Sequence, residues 1–501
     1  MTRFSKYKLC FALLLGLGLS SCDKDFEEIN QNPNAPEDVP ANVILPASQQ
    51  SAVSRLFGAS VNMTYASTWA QQVAKIQYID EDRYQFRASD FSTHWDALYA
   101  GPLLDARLVV EKGAESGNAA MEGVGRTWQT WIFQNITDLW GDIPYTEALK
   151  GTEGNMTPKY DSQESIYTDM LKQLETANTL LASGGTVGGD LIYGGSSANW
   201  QKFANSLRLR LYIHMANVAP AKAKAGIEAI MANPSANPIF MSNADNAELA
   251  YLAAQPYRNP WYENSKTRDD HAISKTMVDI LGVRKDPRLH VYARPAEKPA
   301  AGAGVTLDGK TYVGQPNGAA AQPSLPTVSR IGDRYRDNKQ EAAKQNPTQP
   351  MYIMTYSEVM FILAEAAERG WNVGMTAEAA YNAGIVASMN QNGITDEAAI
   401  AAYLLQPSVA YSLQTNKREA ISVQKWISLF TNGIEAFTEF RRTGYPSTIQ
   451  EVPASAFPGR GVPLRFSYTD QERSTNRTNV EAASSGIVDF LFGKPVWWDV
   501  N

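Results

Sequence analysis

Apolar residues recur at intervals of three and four along most of this chain, the spacing of helices that bury one face. Three stripes show it most plainly: Trp200, Phe203, Leu207 and Leu211; Tyr356, Met360, Leu363 and Ala367; and Phe430, Ile434 and Phe437. Further helices are predicted over 48–75, 92–113, 119–138, 161–182, 221–232, 271–282 and 376–391. Short strands are predicted near 248–252 and 310–314. The pattern therefore predicts a mostly α-helical fold with a few short strands.

One pair of predicted helices has the layout of a helical hairpin. The helix from about 355 to 369 stops at Gly370, and Thr376 is placed to cap the next helix. The unit has about the length of a tetratricopeptide repeat, in which small residues permit close helix crossing. Such residues are Ala364, Ala366, Ala367, Ala379, Ala380, Ala383 and Gly384. No strict repeat recurs elsewhere, so we predict irregular tetratricopeptide-like hairpins.

Two stretches of different composition interrupt the helical pattern. Residues 291–350 are rich in Pro, Gly, Ala and Asn, and residues 444–480 shift in the same way. We interpret both as irregular inserts with long loops in one helical domain spanning 47–501. Loops of this length often carry binding or catalytic residues.

The amino terminus has the order of a secretory signal. Positive charges come first, an apolar run follows over 9–19, and Ser20 and Ser21 precede Cys22. The sequence LSSC at 19–22 resembles a bacterial lipobox, which predicts a signal peptide over 1–21 and a lipid on the Cys22 thiol. Residues 22–46, with four prolines, are predicted to be a lipidated, extended leader. The alternative is an ordinary signal peptide with an incidental cysteine.

Composition and charge narrow the classes of protein further. The 501 residues are 44% hydrophobic and 10% aromatic, which suits a globular chain with a sizeable core. The net charge is −7, whereas proteins that bind nucleic acids usually carry an excess of basic residues, so no nucleic-acid partner is expected. The only cysteines are Cys10 and Cys22, which leaves no disulfide in the mature chain.

The sequence contains none of the common catalytic motifs. The four histidines form no HExxH pair, and no GxSxG elbow or phosphate-binding glycine loop occurs. We therefore expect no enzyme activity, no metal and no cofactor. Paired carboxylates of a glycoside hydrolase are close only in space, so a surface hydrolase or peptidase remains an alternative. The acidic run 80–82 lacks calcium-loop spacing and is interpreted as a solvated turn.

Aromatic side chains in loops, beside amide and carboxylate groups, offer flat and partly polar surfaces to a ligand. Aromatic residues outside the helical stripes are the candidates, and the five that we select for ligand contact are Tyr78, Tyr84, Tyr257, Trp261 and Tyr262. Sealing of loops onto the core is the other role open to them. Trp95 shares a helix face with Leu98 and Tyr99 and is assigned to the core. A structural role is also assigned to Trp128, Trp131, Trp140, Trp497 and Trp498.

Several segments, in their order along the chain, resemble a known family. They are NPN at 32–34, DLWGDIPY at 138–145, NSLRLRL at 205–211, KDPRL at 285–289, YSEV at 356–359, QKW at 424–426, EFRRTGYP at 439–446 and PVWWD at 495–499. In this order behind a lipobox, they resemble the SusD/RagB-like nutrient-binding outer-membrane lipoproteins of the Bacteroidetes. The acidic residues 23–28 also resemble the surface-export signals of such lipoproteins, although a solvated tether is the alternative.

The resemblance implies a function as well as a fold. Members are non-catalytic helical proteins that capture an oligomeric nutrient, usually a glycan and sometimes a peptide, and deliver it to a SusC-like TonB-dependent transporter. The implied location is the outer membrane, through the lipid on Cys22 and facing outside. Ligand residues vary with cargo in this family, so none is transferred to this chain. A helical scaffold without a ligand is a third alternative.

Overall fold

The computed structural model describes residues 39–337, 346–487 and 491–500. The signal peptide and Cys22 therefore lie outside the described residues. The α-helices are α1 Ala41–Leu56, α2 Ser67–Trp69, α3 Ala88–Leu98, α4 Leu104–Glu115, α5 Ala119–Trp140, α6 Gln163–Ala182, α7 Ser197–His214, α8 Pro220–Ala232, α9 Pro260–Thr267, α10 Lys275–Val283, α11 Leu289–Tyr292, α12 Tyr356–Glu368, α13 Ala377–Gln391, α14 Glu397–Leu404, α15 Lys417–Ser428, α16 Gly433–Thr443, α17 Asp470–Thr475 and α18 Arg477–Ala483. Two π-helical turns, Ala59–Ala66 and Tyr99–Leu103, lie between α1 and α2 and between α3 and α4.

The strands are short and pair as four antiparallel two-stranded sheets. They are β1 Val73–Lys75, β2 Ile143–Pro144, β3 Tyr160–Asp161, β4 Ala247–Leu249, β5 His271–Ile273, β6 Val305–Leu307, β7 Lys310–Tyr312 and β8 Met351–Met354. The pairs are β1 with β5, β2 with β3, β4 with β8, and β6 with β7. The strands predicted near 248–252 and 310–314 correspond to β4 and β7. The prediction of a mostly helical fold with a few short strands is confirmed.

Consecutive helices pack on one another as hairpins. Helices α4, α5, α6 and α7 pack pairwise in chain order, and α12 packs on α13. Polar side chains begin these helices: the Thr376 hydroxyl accepts from the Ala379 amide at 3.2 Å, as predicted, and Ser196 caps α7 in the same way. Such caps satisfy amides that a helix leaves unpaired at its start, so local sequence sets where the hairpins begin.

Small residues set how closely the hairpins cross. A Cβ atom built on Gly384 of α13 would lie 2.9 Å from the Phe361 ring of α12, and one on Gly123 of α5 would lie 2.7 Å from Leu181 of α6. These distances are too short for any side chain without movement of the neighbour. The predicted role of small residues at the α12–α13 crossing is therefore confirmed at Gly384.

The centre of the helical body contains charged groups as well as apolar ones. His214 is fully buried and donates from Nε2 to Glu435 at 2.9 Å. Arg210, one turn earlier, forms a two-point ion pair with Glu358 at 2.6 and 2.7 Å. Arg442 holds both Glu365 and Glu439. Buried charges of opposite sign lie next to each other here, which offsets part of the cost of removing each from water.

Two predicted helix ends are wrong for one shared reason. The helix predicted over 48–75 ends at Trp69, and residues 73–75 form β1. The helix predicted over 271–282 begins only at Lys275, and residues 271–273 form β5. These two segments pair with each other, with Val73 opposite Ile273. Because the two strands are about two hundred residues apart, the local sequence pattern of either segment does not predict their pairing.

Two segments predicted to be irregular are partly helical. The extended leader was predicted to reach residue 46, but α1 begins at Ala41 and contains Pro46. An interior proline costs a helix about 3 kcal/mol, whereas each buried Leu or Ile contributes about 1.5–3 kcal/mol. Burial of the α1 stripe, which includes Leu45, Ala52, Val53 and Leu56, outweighs that cost. The insert predicted over 444–480 likewise ends in α17 and α18.

Across the described ranges, none of the helices combines the length and the apolar composition that crossing a bilayer requires.

Candidate ligand-binding site

Tyr78 is the most exposed of the five aromatic residues selected from the sequence. It follows β1 with a left-handed backbone (φ 49°), and 56% of its surface is accessible to solvent. The Ile76 amide donates to the Asp270 carbonyl at 2.7 Å, which ties this turn to the segment before β5. The β1–β5 pairing therefore presents the Tyr78 ring at the edge of a small, buried sheet.

An arginine from the neighbouring segment lies over this ring. The Arg268 guanidinium is 4.7 Å from the centre of the Tyr78 ring, and it forms an ion pair with Asp270 at 2.6 Å. A cation over an aromatic face is attracted by the electrons of the ring. Tyr78 and Arg268 together form an exposed aromatic and cationic surface of the kind that holds a sugar ring and its oxygen atoms.

Tyr84 does not belong to this surface, and its role as a ligand contact stays a prediction that its burial does not favour. It is 1% exposed and packs edge-on against Trp69 and near Phe492. The acidic turn before it is not solvated either, because Asp82 is buried and accepts from the Lys75 amide at 3.1 Å and from Asn317 at 2.8 Å. Burial raises the pKa of Asp82 to about 7. This loop folds inward because its polar groups find partners there.

Trp261 and Tyr262 are also buried, at 1% and 4% exposure, so their role as ligand contacts stays a prediction that their burial does not favour. The Asn259 side chain accepts from both of their backbone amides, at 2.9 and 3.1 Å, and so begins helix α9. Trp261 then packs against Phe430, with ring centres 5.7 Å apart. Both residues are candidates because they lie outside the helical stripes, whereas the structure places them in the first turn of helix α9, with their rings in the core.

Tyr257 is half exposed, as a ligand contact requires. It lies in the loop between β4 and α9, where its carbonyl accepts from the Leu252 amide at 2.7 Å. Within the described ranges, no ring contact, hydrogen bond or ion pair joins it to Tyr78. The structure thus exposes two of the five predicted residues, Tyr78 and Tyr257, and the described ranges show no contact between these two.

The structure adds an arginine-rich pocket that the sequence did not indicate. It has a volume of about 400 Å³ and adjoins a small cleft that contains Arg268. Asp269 and Arg336 line both the pocket and the cleft. The pocket is lined by Asp269, Arg294, Glu297, Lys298, Leu325, Pro326, Arg330 and Arg336. Most of these residues belong to the 291–350 insert, whose composition marked it as irregular and was the only signal available.

A second pocket of about 590 Å³ lies elsewhere, between α3, the loop after β2 and α17. Its walls are largely apolar, and Asp96 and Glu472 both line it. Trp95 is 3% exposed, in agreement with its assignment to the core, yet part of its ring reaches this pocket. Burial, and then the charge of Glu472, raise the pKa of Asp96.

One group of side chains in the described ranges has the spacing of a metal site. The ligand atoms of His214, Glu435 and Glu439 lie within 4.8 Å of one another and are buried. The Lys425 ammonium lies 3.0 Å from Glu439 and 3.7 Å from Glu435. The Lys425 ammonium therefore already neutralises charge on these carboxylates, and the donor set fits an ion-pair network.

Most of the aromatic residues assigned to the core are buried. Trp128, Trp131, Trp140 and Trp498 are at most 1% exposed, whereas Trp497 is only partly buried. Trp140 donates to the Ser467 carbonyl at 2.9 Å, and Trp498 donates to Asp138 at the same distance. These indoles fill the core and satisfy their own N–H groups, as their structural assignment requires.

Comparisons with known proteins agree with this architecture. A chitin-binding protein is 28% identical, with a TM-score of 0.80 over 92% of this chain and all of that one. A chitin-binding SusD homologue from Flavobacterium johnsoniae is 25% identical, with a TM-score of 0.75 over 92% and 97%. A SusD homologue from Bacteroides fragilis is 25% identical, with a TM-score of 0.76 over 92% and 99%. The comparison with curated proteins gives no match.

A family model gives the assignment. The SusD-like model described as "Starch-binding associating with outer membrane" matches residues 33–469. This range includes the helical hairpins, the Tyr78 surface and the arginine-rich pocket. Since the match extends over most of the sequence, the chain belongs to the SusD-like family.

Proposed function

We propose that this protein is a lipid-anchored outer-membrane receptor that binds an oligosaccharide and delivers it to a SusC-like TonB-dependent transporter. Tyr78 carries the binding part of the proposal, because an exposed ring with a neighbouring cation suits a pyranose and its hydroxyls. The family description and the two chitin-binding relatives support carbohydrate as the ligand.

The remaining parts of the proposal rest on the sequence. The lipobox at 19–22 supports anchoring through Cys22, and the acidic residues 23–28 support exposure on the outer face. Acyl chains contribute about 0.8 kcal/mol per buried methylene, so several of them hold a protein firmly on a bilayer. The receptor then presents its ligand to the transporter without crossing the membrane itself.

Calorimetric titration of the mature protein without its lipid tests ligand binding. We expect an oligosaccharide from a panel of chitin, starch and other glycan fragments to bind reversibly. Tyr78→Ala should weaken binding about tenfold, equal to about 1.4 kcal/mol. Leu413→Ala removes an equally exposed apolar side chain on another turn and should leave the affinity unchanged. Binding of peptides alone, or no effect of Tyr78→Ala, would contradict the proposal.

The transporter is tested separately. Affinity purification of the lipidated protein from native outer membranes should recover a TonB-dependent barrel as its main companion. Recovery of other surface proteins without a barrel would favour the scaffold alternative instead.

One observation favours the hydrolase alternative. Asp96, with its raised pKa, and Glu472 line the same pocket, and glycoside hydrolases use a protonated carboxylic acid and a carboxylate together. However, Glu472 already accepts from the Tyr160 hydroxyl at 2.7 Å. We propose binding without turnover, so incubation of the protein with the ligand identified by titration should release no new reducing ends. Turnover that disappears in Asp96→Asn would establish the alternative.

A further inference from the structure

The arginine-rich pocket beside the Tyr78 surface holds more buried positive than negative charge. Arg330 and Arg336 both contact one carboxylate, that of Asp269, with Arg336 at 3.0 Å. Their side chains are only 9% and 8% exposed, whereas Asp269 is 36% exposed. Among the described residues, two guanidinium groups that share one carboxylate leave one positive charge without a partner of opposite sign.

The other charged groups of the pocket do not restore the balance. Arg294 has its own partner, Asp333, at 3.1 Å. Lys298 is exposed and forms no ion pair within the described ranges, and Glu297 is exposed as well. The nearby charges of Arg336 and Arg294, after burial itself, lower the pKa of Arg330. The surroundings of Arg330 thus already disfavour its positive charge.

Hydrogen-bonding capacity is also unused. The Arg330 Nε atom is buried and has no acceptor among the described residues. The Nη2 atom of Arg330 donates to the Asp269 carbonyl at 2.9 Å, in addition to its contact with the Asp269 carboxylate. A guanidinium group has five N–H donors in a planar fork that matches a carboxylate. The pocket therefore offers both charge and directed donors to a second anion.

We propose that this pocket binds the carboxylate of a uronic acid unit, so that the ligand of this protein is an acidic oligosaccharide. The volume of about 400 Å³ gives room for a sugar ring, and Leu325 and Pro326 supply an apolar wall. A carboxylate is favoured because the anion that Arg330 and Arg336 already share is one. This inference rests on the proposed function and specifies its ligand.

The position of the pocket fits a ligand longer than one sugar. Asp269 and Arg336 line both the pocket and the small cleft that also contains Arg268, whose guanidinium lies over Tyr78. The pocket and this cleft thus share two wall residues, and in the proposal an oligosaccharide with one ring on Tyr78 places another unit in the adjoining pocket. Tyr78 then contributes stacking for any sugar, and the arginines select the acidic one.

Titration with matched pairs of ligands tests the selection. Each uronate oligosaccharide (oligogalacturonate, oligomannuronate and oligoguluronate) is compared with its carboxyl-reduced, neutral counterpart. We expect at least one acid to bind about tenfold more tightly than its neutral counterpart, the effect of about one charge-assisted contact. Raising the salt concentration from about 0.05 M to about 0.5 M should weaken binding of the acidic oligosaccharide more than binding of the neutral one.

Variants then locate the effect. Arg336→Gln should remove the preference for the acid, and Lys298→Gln, at an exposed position that is safe for folding, should reduce it. Arg126→Gln on α5 is the matched control, since Arg126 pairs with Glu122 outside this pocket and should leave the preference unchanged.

Failure of the inference differs from failure of the proposed function. If neutral oligosaccharides bind as tightly as acids and Tyr78→Ala weakens both, the receptor function holds and the uronate proposal is overturned. A preference for acids that persists in both Arg336→Gln and Lys298→Gln also overturns it. If no oligosaccharide binds, both proposals fail.

Discussion

His214 and Glu435 lie 221 residues apart in the sequence and share a 2.9 Å hydrogen bond in the core. The other ring nitrogen of His214 lies 3.0 Å from the Tyr167 hydroxyl and 3.5 Å from Asp138. Burial alone lowers the pKa of His214, but the carboxylates of Glu435 and Asp138 outweigh burial and raise it to about 9. The imidazolium is thus one of the cations that neutralise the buried acids of α5 and α16.

Stability should therefore depend on pH through His214. The folded-state pKa of about 9 exceeds the ordinary value of 6.5, so this contribution is complete below about pH 6.5 and is lost as pH rises through 9. A shift of this size corresponds to roughly 3 kcal/mol. Urea unfolding between pH 6 and pH 9.5 should show the decline, and His214→Gln should flatten it. His290→Gln, at a partly exposed histidine, serves as the control. An unchanged decline in His214→Gln would contradict the prediction.

Arg442 should be much more important for stability than a surface arginine. It is fully buried and bonds both Glu365, at 2.8 Å, and Glu439, at 2.7 Å. Arg442→Met removes the positive charge that balances these two buried carboxylates and should lower the free energy of unfolding by about 3–5 kcal/mol. Arg126→Met, which breaks the partly exposed pair with Glu122, should cost about 1 kcal/mol or less. Equal losses, measured by chemical denaturation, would show that the buried network does not act as a unit.

Trp261 separates a packing role from a ligand-binding role. Because its ring is buried against Phe430 and Tyr335, Trp261→Ala should lower the free energy of unfolding by about 3–5 kcal/mol. The folded fraction of this variant should bind the oligosaccharide with the affinity of the wild type. Tyr78→Ala should show the opposite pair of results, with stability retained and affinity reduced. A reduced affinity of well-folded Trp261→Ala for the oligosaccharide would show instead that Trp261 contributes to ligand binding.

Cys22→Ala tests the anchor. The core of the described ranges is built from residues Ile44 onwards, so loss of the lipid should not unfold it. The variant should leave the membrane fraction while its thermal unfolding midpoint stays that of the delipidated wild type. Cys10→Ala, within the apolar run of the signal peptide, is the control and should remain membrane-bound. A Cys22→Ala protein that still sediments with membranes would contradict the lipid assignment.

The helical hairpins are the part of the fold that local sequence predicted well. The stripes around Trp200 and Met360, the cap at Thr376 and the small residue at Gly384 all have the predicted place. Each depends on residues within a few turns of one another. The errors fall where distant segments meet, as at β1 and β5, or where burial overrides a local breaker, as at Pro46.

The sequence by itself determined that this protein is a stack of amphipathic helices with aromatic residues left over in its loops. Only the tertiary structure decided which of those aromatic residues meet solvent, because Tyr78 and Tyr84 stand in one polar loop and yet one is exposed and the other buried. It also decided that Arg330 and Arg336 share Asp269, from a point more than sixty residues earlier in the chain. Helical periodicity is a property of neighbours, whereas exposure and charge balance depend on whatever segment packs alongside.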